Sequence, residues 1–227
     1  MKLGVLFSGG KDSTYAAYLA SQDNELVCLI TLHSENLYSY MFHTPSISKT
    51  RLQAEVMDLP LIEVTTKGEK EKELEDLKNV IQDAKEKYKI EGIVTGAVES
   101  VYQASRIQKI CDDLGLEVVN PLWKKDQVQL LNELIENKFE IIITGVAAEG
   151  LDEKWLGRKI DSQFIEDMKV LNTKYGVSFS GEGGEFESLV LDCPLFKRKL
   201  KVVSQKVSEE EGNFRLEVEL DLRAITK

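Results

Sequence analysis

Short apolar runs and amphipathic stretches alternate along the first two thirds of the chain. Leu3–Phe7, Leu26–Thr31, Leu61–Val64, Gly92–Thr95, Glu117–Val119 and Phe139–Val146 are short runs rich in Val and Ile, and they predict strands. Thr14–Ser21, Ser48–Met57, Glu69–Tyr88, Ser100–Leu114 and Gln127–Asn137 predict helices. In Glu69–Tyr88, Leu74, Leu77, Ile81, Ala84 and Tyr88 recur at spacings of three or four, which makes one buried stripe. The Lys/Glu positions between them form a solvated face. Strands that alternate with helices predict a parallel sheet covered on both faces. Such sheets bind ligands beyond the carboxyl ends of their strands.

The pattern changes after about residue 121, where Pro121-Leu122-Trp123 closes a segment. Ser162–Tyr175 predicts a helix and Ser188–Asp192 a strand, and Leu200–Val207 with Asn213–Arg223 predicts a closing hairpin. Phe214, Leu216, Val218, Leu220 and Leu222 alternate with polar residues, as in a half-exposed strand. The expected class is α/β. A domain over 1–123 carries the parallel sheet with helices on both faces, and a smaller α+β domain spans 124–227. Trp123 and Trp155 read as core or interface residues.

At 227 residues, 42% of them apolar and 30% charged, the chain suits one large or two modest globular domains. No apolar run approaches the ~20 residues a membrane helix requires. Met1-Lys2 leads straight into the first strand, leaving no room for a signal peptide. Cys28, Cys111 and Cys193 are odd in number and widely spaced, which favours buried reduced thiols and a cytoplasmic setting. The net charge of −10 argues against direct nucleic-acid binding. The basic run Lys197-Arg198-Lys199-Leu200-Lys201 is too short to reverse that, and reads as a solvated or partner-facing edge.

The first chemistry-bearing segment is Ser8-Gly9-Gly10-Lys11-Asp12-Ser13, between a predicted strand and a predicted helix. Two glycines let the backbone turn tightly and bring its N–H groups to an anion. The helix that follows adds the positive end of its dipole. Lys11 supplies a point charge, and Ser8 and Ser13 supply hydroxyls. So many donors suit a phosphate chain. The common G-x-x-x-x-G-K-[ST] loop is absent, because Val5 stands where it needs glycine and Asp12 follows the lysine. Asp12 would repel phosphate unless a cation sat between them, which points to Mg²⁺.

Ser8–Ser13 resembles the SGGKDS signature of the PP-loop, or N-type ATP pyrophosphatase, superfamily. The resemblance implies an adenine nucleotide alpha hydrolase-like, Rossmann-like fold and cleavage of ATP between its α- and β-phosphates.

The second segment is Gly181-Glu182-Gly183-Gly184-Glu185-Phe186-Glu187-Ser188, an acidic, glycine-rich stretch that makes a poor helix and a poor strand interior. Its composition suits a cation, an amine or a metal-bound nucleotide, or simply an exposed acidic turn. It resembles the EGGE-F/Y-E motif of one PP-loop branch, the diphthine–ammonia ligases. Met41-Phe42-His43-Thr44-Pro45 is similar to that branch's M-x-H-T-P loop. Gly96–Ser100 with Tyr102, Gln103 and Arg106 is similar to its G-[AD]-I-x-S-x-Y-Q-x-x-R segment. Leu114–Leu116 through Pro121–Trp123, and Ala148–Leu151 with Leu156–Arg158, resemble two further stretches. Val98 replaces the more usual Ile, and Ala97 stands where some members carry Asp. Longer eukaryotic relatives append further domains, so the resemblance implies the compact, archaeal-type form.

The resemblance implies ATP-dependent amidation of diphthine, a modified histidine on translation elongation factor 2. Its carboxylate attacks the α-phosphate, and ammonium nitrogen then displaces AMP. On this reading Lys11, Asp12 and Glu185 are catalytic and Asp12 orients Mg²⁺. Ser8, Gly9, Gly10, Lys11, Asp12, Ser13, His33 and Gly96 bind ATP. His43, Tyr102, Arg106, Glu182, Gly183, Gly184, Glu185 and Glu187 meet the substrate. One glutamate holds the quaternary ammonium of diphthine or deprotonates ammonium, and the sequence does not assign which. His33 either lines an adenine pocket or caps a strand. Tyr102 and Arg106, four apart on one helix face, either meet substrate or form a packed aromatic and a surface ion pair. A homo-oligomer is compatible with the chain. Two rivals remain, a PP-loop ligase adenylating tRNA and a non-catalytic ATP or AMP sensor.

Overall fold

The computed structural model describes residues 1–34, 49–67, 72–210 and 212–222. The first half runs β1 (Lys2–Leu6), α1 (Lys11–Ala20), β2 (Glu25–Ser34), α2 (Thr50–Met57), β3 (Leu61–Thr66), α3 (Lys72–Tyr88), β4 (Gly92–Val94), α4 (Val101–Leu114) and β5 (Glu117–Val119). Its five strands are all parallel, in the order β3-β2-β1-β4-β5. The order reverses between β1 and β4, which opens a crevice at their carboxyl ends. The period-two alternation of β2 divides the core. Cys28, Ile30 and Leu32 join Leu77, Ile81 and Ile107 of α3 and α4 in one apolar cluster. Leu29 joins Leu3, Val5 and the α1 residues Tyr15, Ala16 and Ala17 in the other. The expected stripe of α3 is present, with Leu77, Ile81 and Ala84 buried and Leu74 and Tyr88 packed at its margin.

The second half runs α5 (Gln127–Glu136), β6 (Glu140–Val146), a 3-10 turn (Glu153–Trp155), α6 (Ser162–Tyr175), β7 (Phe186–Asp192), β8 (Lys201–Glu210) and β9 (Asn213–Asp221). Its four strands are antiparallel, in the order β7-β6-β9-β8. The run Phe139–Val146 therefore leaves the parallel series to which its apolarity likened it. An apolar run records burial on both faces and says nothing of which sheet receives it. The larger apolar cluster is shared by the two sheets, from Leu3 and Tyr15 through Leu130 to Leu189. The Tyr15 ring meets Phe139 edge-on at 5.4 Å, and its hydroxyl donates to Glu133 at 2.7 Å.

The basic run lies at a solvated edge, as expected, with Lys197 paired to Asp58, Arg198 to Glu55 and Lys199 to Glu140. Trp123 is 38% exposed, with the Lys124 ammonium 5.1 Å from its ring, rather than in the core. Trp155 does pack inward, edge-on to Phe164 at 5.6 Å. All three cysteines are buried and free. Among the described residues no helix is long and apolar enough to cross a membrane.

Candidate functional site

The segment Ser8–Ser13 occupies the crevice between β1 and β4. Helix α1 begins at Lys11, earlier than its apolar periodicity predicts, because Gly10 serves as N-cap and Lys11, Asp12 and Ser13 form the first turn. Gly10 is extended and, as glycine, supplies no side-chain cap of its own. The first-turn N–H groups of a helix lack intrahelical partners, so those beyond the Lys11 amide, which Ser188 takes, can meet an anion. The Ser13 hydroxyl accepts from the Ser8 amide at 3.2 Å and lies 3.1 Å from the Ser8 hydroxyl, closing the loop on itself.

Gly9 has φ +79°, a left-handed conformation that favours glycine, and a Cβ there would run into the Gln53 side chain. Gly96, just past β4, comes so close that a Cβ would stand 2.8 Å from the Asp12 carbonyl carbon. Any larger residue at 96 would displace the first turn of α1.

Lys11 is 4% exposed, and its ammonium donates to Asp12 Oδ2 at 2.7 Å and lies 5.4 Å from the Phe186 ring. The other oxygen, Asp12 Oδ1, is buried without a partner. A free carboxylate acceptor beside a phosphate-type loop fits a hard cation held chiefly by substrate phosphates. Among the described residues no group of three potential ligands forms a metal cage.

The acidic stretch lies against this loop. The Lys11 amide donates to Ser188 Oγ at 3.1 Å, and the Val190 amide donates to the Gly9 carbonyl at 3.1 Å. Strand β7 begins at Phe186, so Glu187 and Ser188 are strand residues and the free loop is shorter than its composition implied. Glu182 accepts from the Glu99 amide at 3.2 Å, just ahead of α4. Burial first, and the nearby Asp12 charge second, raise its carboxyl to about 7 against the opposing Lys11 charge.

The three glutamates have different surroundings. Both Glu185 oxygens are taken, one by the Ser178 amide at 2.9 Å and the other by the Gly183 amide at 2.7 Å. Glu185 therefore ties the loop together. Glu187 packs against Gly145, where a Cβ would stand 3.3 Å from its carboxylate, and its Oε2 is buried without a partner. Burial raises Glu187 to about 7, with Arg215 opposing. Gly184 adopts φ +82° and its amide donates to Gly181 at 3.0 Å, completing the turn.

Of the remaining candidates, His33 lies in β2 near its carboxyl end, with its ring Nε2 2.9 Å from Glu63 of the neighbouring strand. Tyr102 and Arg106 stack on each other, the guanidinium 3.5 Å from the ring centroid. His43 lies outside the described residues.

Sequence reasoning missed Gln53. It is fully buried, and its side-chain amide donates to the carbonyls of both Gly9 and Val190 at 2.9 Å. It occupies the buried stripe of α2 formed by Thr50, Gln53, Ala54 and Met57. A long polar residue at an apolar-stripe position was the available signal. Gln127, which opens α5, was missed too. Its Oε1 accepts from the Ser178 hydroxyl at 2.9 Å and the Ser180 amide at 3.1 Å, and so anchors the acidic loop.

The sequence of this chain has counterparts among known proteins. Residues 1–118 match the diphthamide synthase N-terminal domain, and residues 126–220 match the diphthamide synthase C-terminal domain. The diphthine–ammonia ligase of Bos taurus is 39% identical over 227 residues, covering 91% of this chain and 85% of that protein. The Homo sapiens diphthine–ammonia ligase is 38% identical over the same shares. The Schizosaccharomyces pombe one is 35% identical and covers 93% of this chain but 38% of its own length. With both domains matched in order and these relatives alike over most of its length, the chain belongs to the diphthamide synthase family.

Proposed function

We propose that the chain is an ATP-dependent diphthine–ammonia ligase. It amidates diphthine on translation elongation factor 2 with ammonium and releases AMP and pyrophosphate. The observation that carries this reading is the contact of the anion loop with the acidic strand through Lys11 and Ser188. That contact holds the phosphate-type loop against the strand that continues the carboxylate-rich loop, which supports a nucleotide and an acceptor meeting there.

A carboxylate is a poor acyl donor until a good leaving group is attached, and adenylyl transfer supplies one. The open N-terminus of α1, the Gly9–Gly10 turn, Ser8, Ser13 and Lys11 receive the phosphates and stabilise charge on the departing pyrophosphate. Gly96 lets that turn approach β4, and His33 lies at the same strand-end edge, where a nucleotide base would rest. Asp12 would hold Mg²⁺, which neutralises phosphate charge. Glu182, Gly183, Gly184, Glu185 and Glu187 shape the acceptor side, with Tyr102, Arg106 and His43 contributing to substrate contact. Nucleotide contacts fall within residues 1–123, while the acceptor side draws on both halves, chiefly on the acidic loop of 124–227. A cytoplasmic setting suits three free buried thiols.

The test supplies the purified chain with ATP, Mg²⁺, ammonium and elongation factor 2 bearing diphthine. AMP is expected to form only when acceptor and ammonium are both present. ADP as the sole product, or amide formation indifferent to ATP, would overturn the proposal.

A further inference from the structure

The antiparallel sheet has two edges, and they are treated differently. At the β7 edge, the Val190 amide donates to Gly9 and the Val190 carbonyl accepts from Gln53, so the first half of the chain closes it. At the other edge β8 has β9 as its sole strand neighbour among the described residues. All of β8 except Val202 is exposed, and the strand contains no proline. A long open edge presents unpaired N–H and C=O groups and is a template for another strand.

We propose that β8 pairs with β8 of a second copy, as antiparallel strands centred on Gln205, joining two antiparallel sheets into one. The sequence of the strand is complementary to itself in that register. Lys201 faces Glu209 of the second copy, Ser204 faces Lys206, and Val203 faces Val207. Val203 and Val207 are the two large apolar residues exposed on this strand, at 54% and 39%. Val203 is also the residue that β9 passes over, because the register slips between Val202 and Ser204. A partner strand gives Val203 the cross-strand neighbour it lacks. Parallel pairing in register would instead set Lys201 on Lys201, Lys206 on Lys206 and Glu209 on Glu209, which repel. The two-fold arrangement is isologous, so one patch serves both copies. The candidate sites, on the β7 side, remain outside the contact.

The test uses the full chain and does not depend on its activity. Light scattering over a concentration series is expected to show a dimer, and Val207→Lys is expected to weaken it at least tenfold with the far-ultraviolet circular dichroism unchanged. Gln205→Cys treated with a short bis-maleimide is expected to give a covalent dimer, because the native cysteines are buried. Asp23→Cys, on an exposed turn elsewhere, is expected to give none. The Gln205→Cys crosslink decides the matter if Val207→Lys fails to fold. A monomer at every concentration, or a dimer that persists in Val207→Lys while Gln205→Cys stays uncrosslinked, would overturn the proposal.

Discussion

The backbone amide of Lys11 donates to the hydroxyl of Ser188 across 177 residues of sequence. This bond joins the first turn of α1 to the strand that carries the acidic motif. Anything that shifts β7 therefore shifts the lysine of the anion loop as well.

Lys11→Ala should lower AMP formation by on the order of 100-fold or more, the usual cost of losing one preorganised donor to a developing anion. The deletion also leaves Asp12 without its cation. Circular dichroism should show a folded protein, and kinetics with labelled ATP should place the loss in turnover.

Gln53→Leu keeps the bulk in α2 but removes the side-chain hydrogen bonds to the Gly9 and Val190 carbonyls. The Val190 carbonyl then loses this buried partner, at about 1–3 kcal/mol. A lower urea midpoint is expected, together with weaker ATP binding by calorimetry. Unchanged nucleotide affinity would mean that Gln53 supports the fold without positioning the loop.

Glu185→Ala should loosen the acidic loop rather than remove a proton carrier, since both carboxylate oxygens hold backbone amides. Hydrogen exchange at Ser178 and Gly183 should speed up, and turnover should fall at least tenfold. Glu185→Gln keeps one acceptor oxygen and should retain more activity than Glu185→Ala.

Glu187 imposes a pH dependence on stability. Its carboxyl is raised to about 7 in the folded state, chiefly by burial. Between the ordinary carboxylate range and that value the folded chain holds a proton that the unfolded chain has released. Stability therefore falls as pH rises through this window and levels off above it. Glu187→Gln should remove that slope. Urea denaturation should find the variant more stable than the parent at pH 8, by on the order of 2 kcal/mol, and nearly equal to it at pH 4.

The elements of the first half were legible in the sequence because each is specified locally. Gly-Gly ahead of a helix, the stripe Leu77, Ile81 and Ala84, and the Val/Ile runs of β1 and β2 each follow from spacing and side-chain shape. Ser8–Ser13 was legible for the same reason, since a turn and a helix start lie within six residues. The placing of β6 and the surroundings of Glu182, Glu185 and Glu187 were not. Three carboxylates in one short motif are chemically alike, and only their neighbours separate them.

The chain by itself determined where its strands and helices lie, that the first residues make an anion-binding turn, and that a second loop is acidic. Periodicity, glycine conformational freedom and residue charge act over a few residues, so a linear reading reaches them. Only the tertiary structure decided that Gly9 meets Val190, that Gln53 joins them, and that β7 is closed while β8 stays open. Those outcomes depend on how two sheets pack over one apolar cluster, and that packing balances many distant contacts at once.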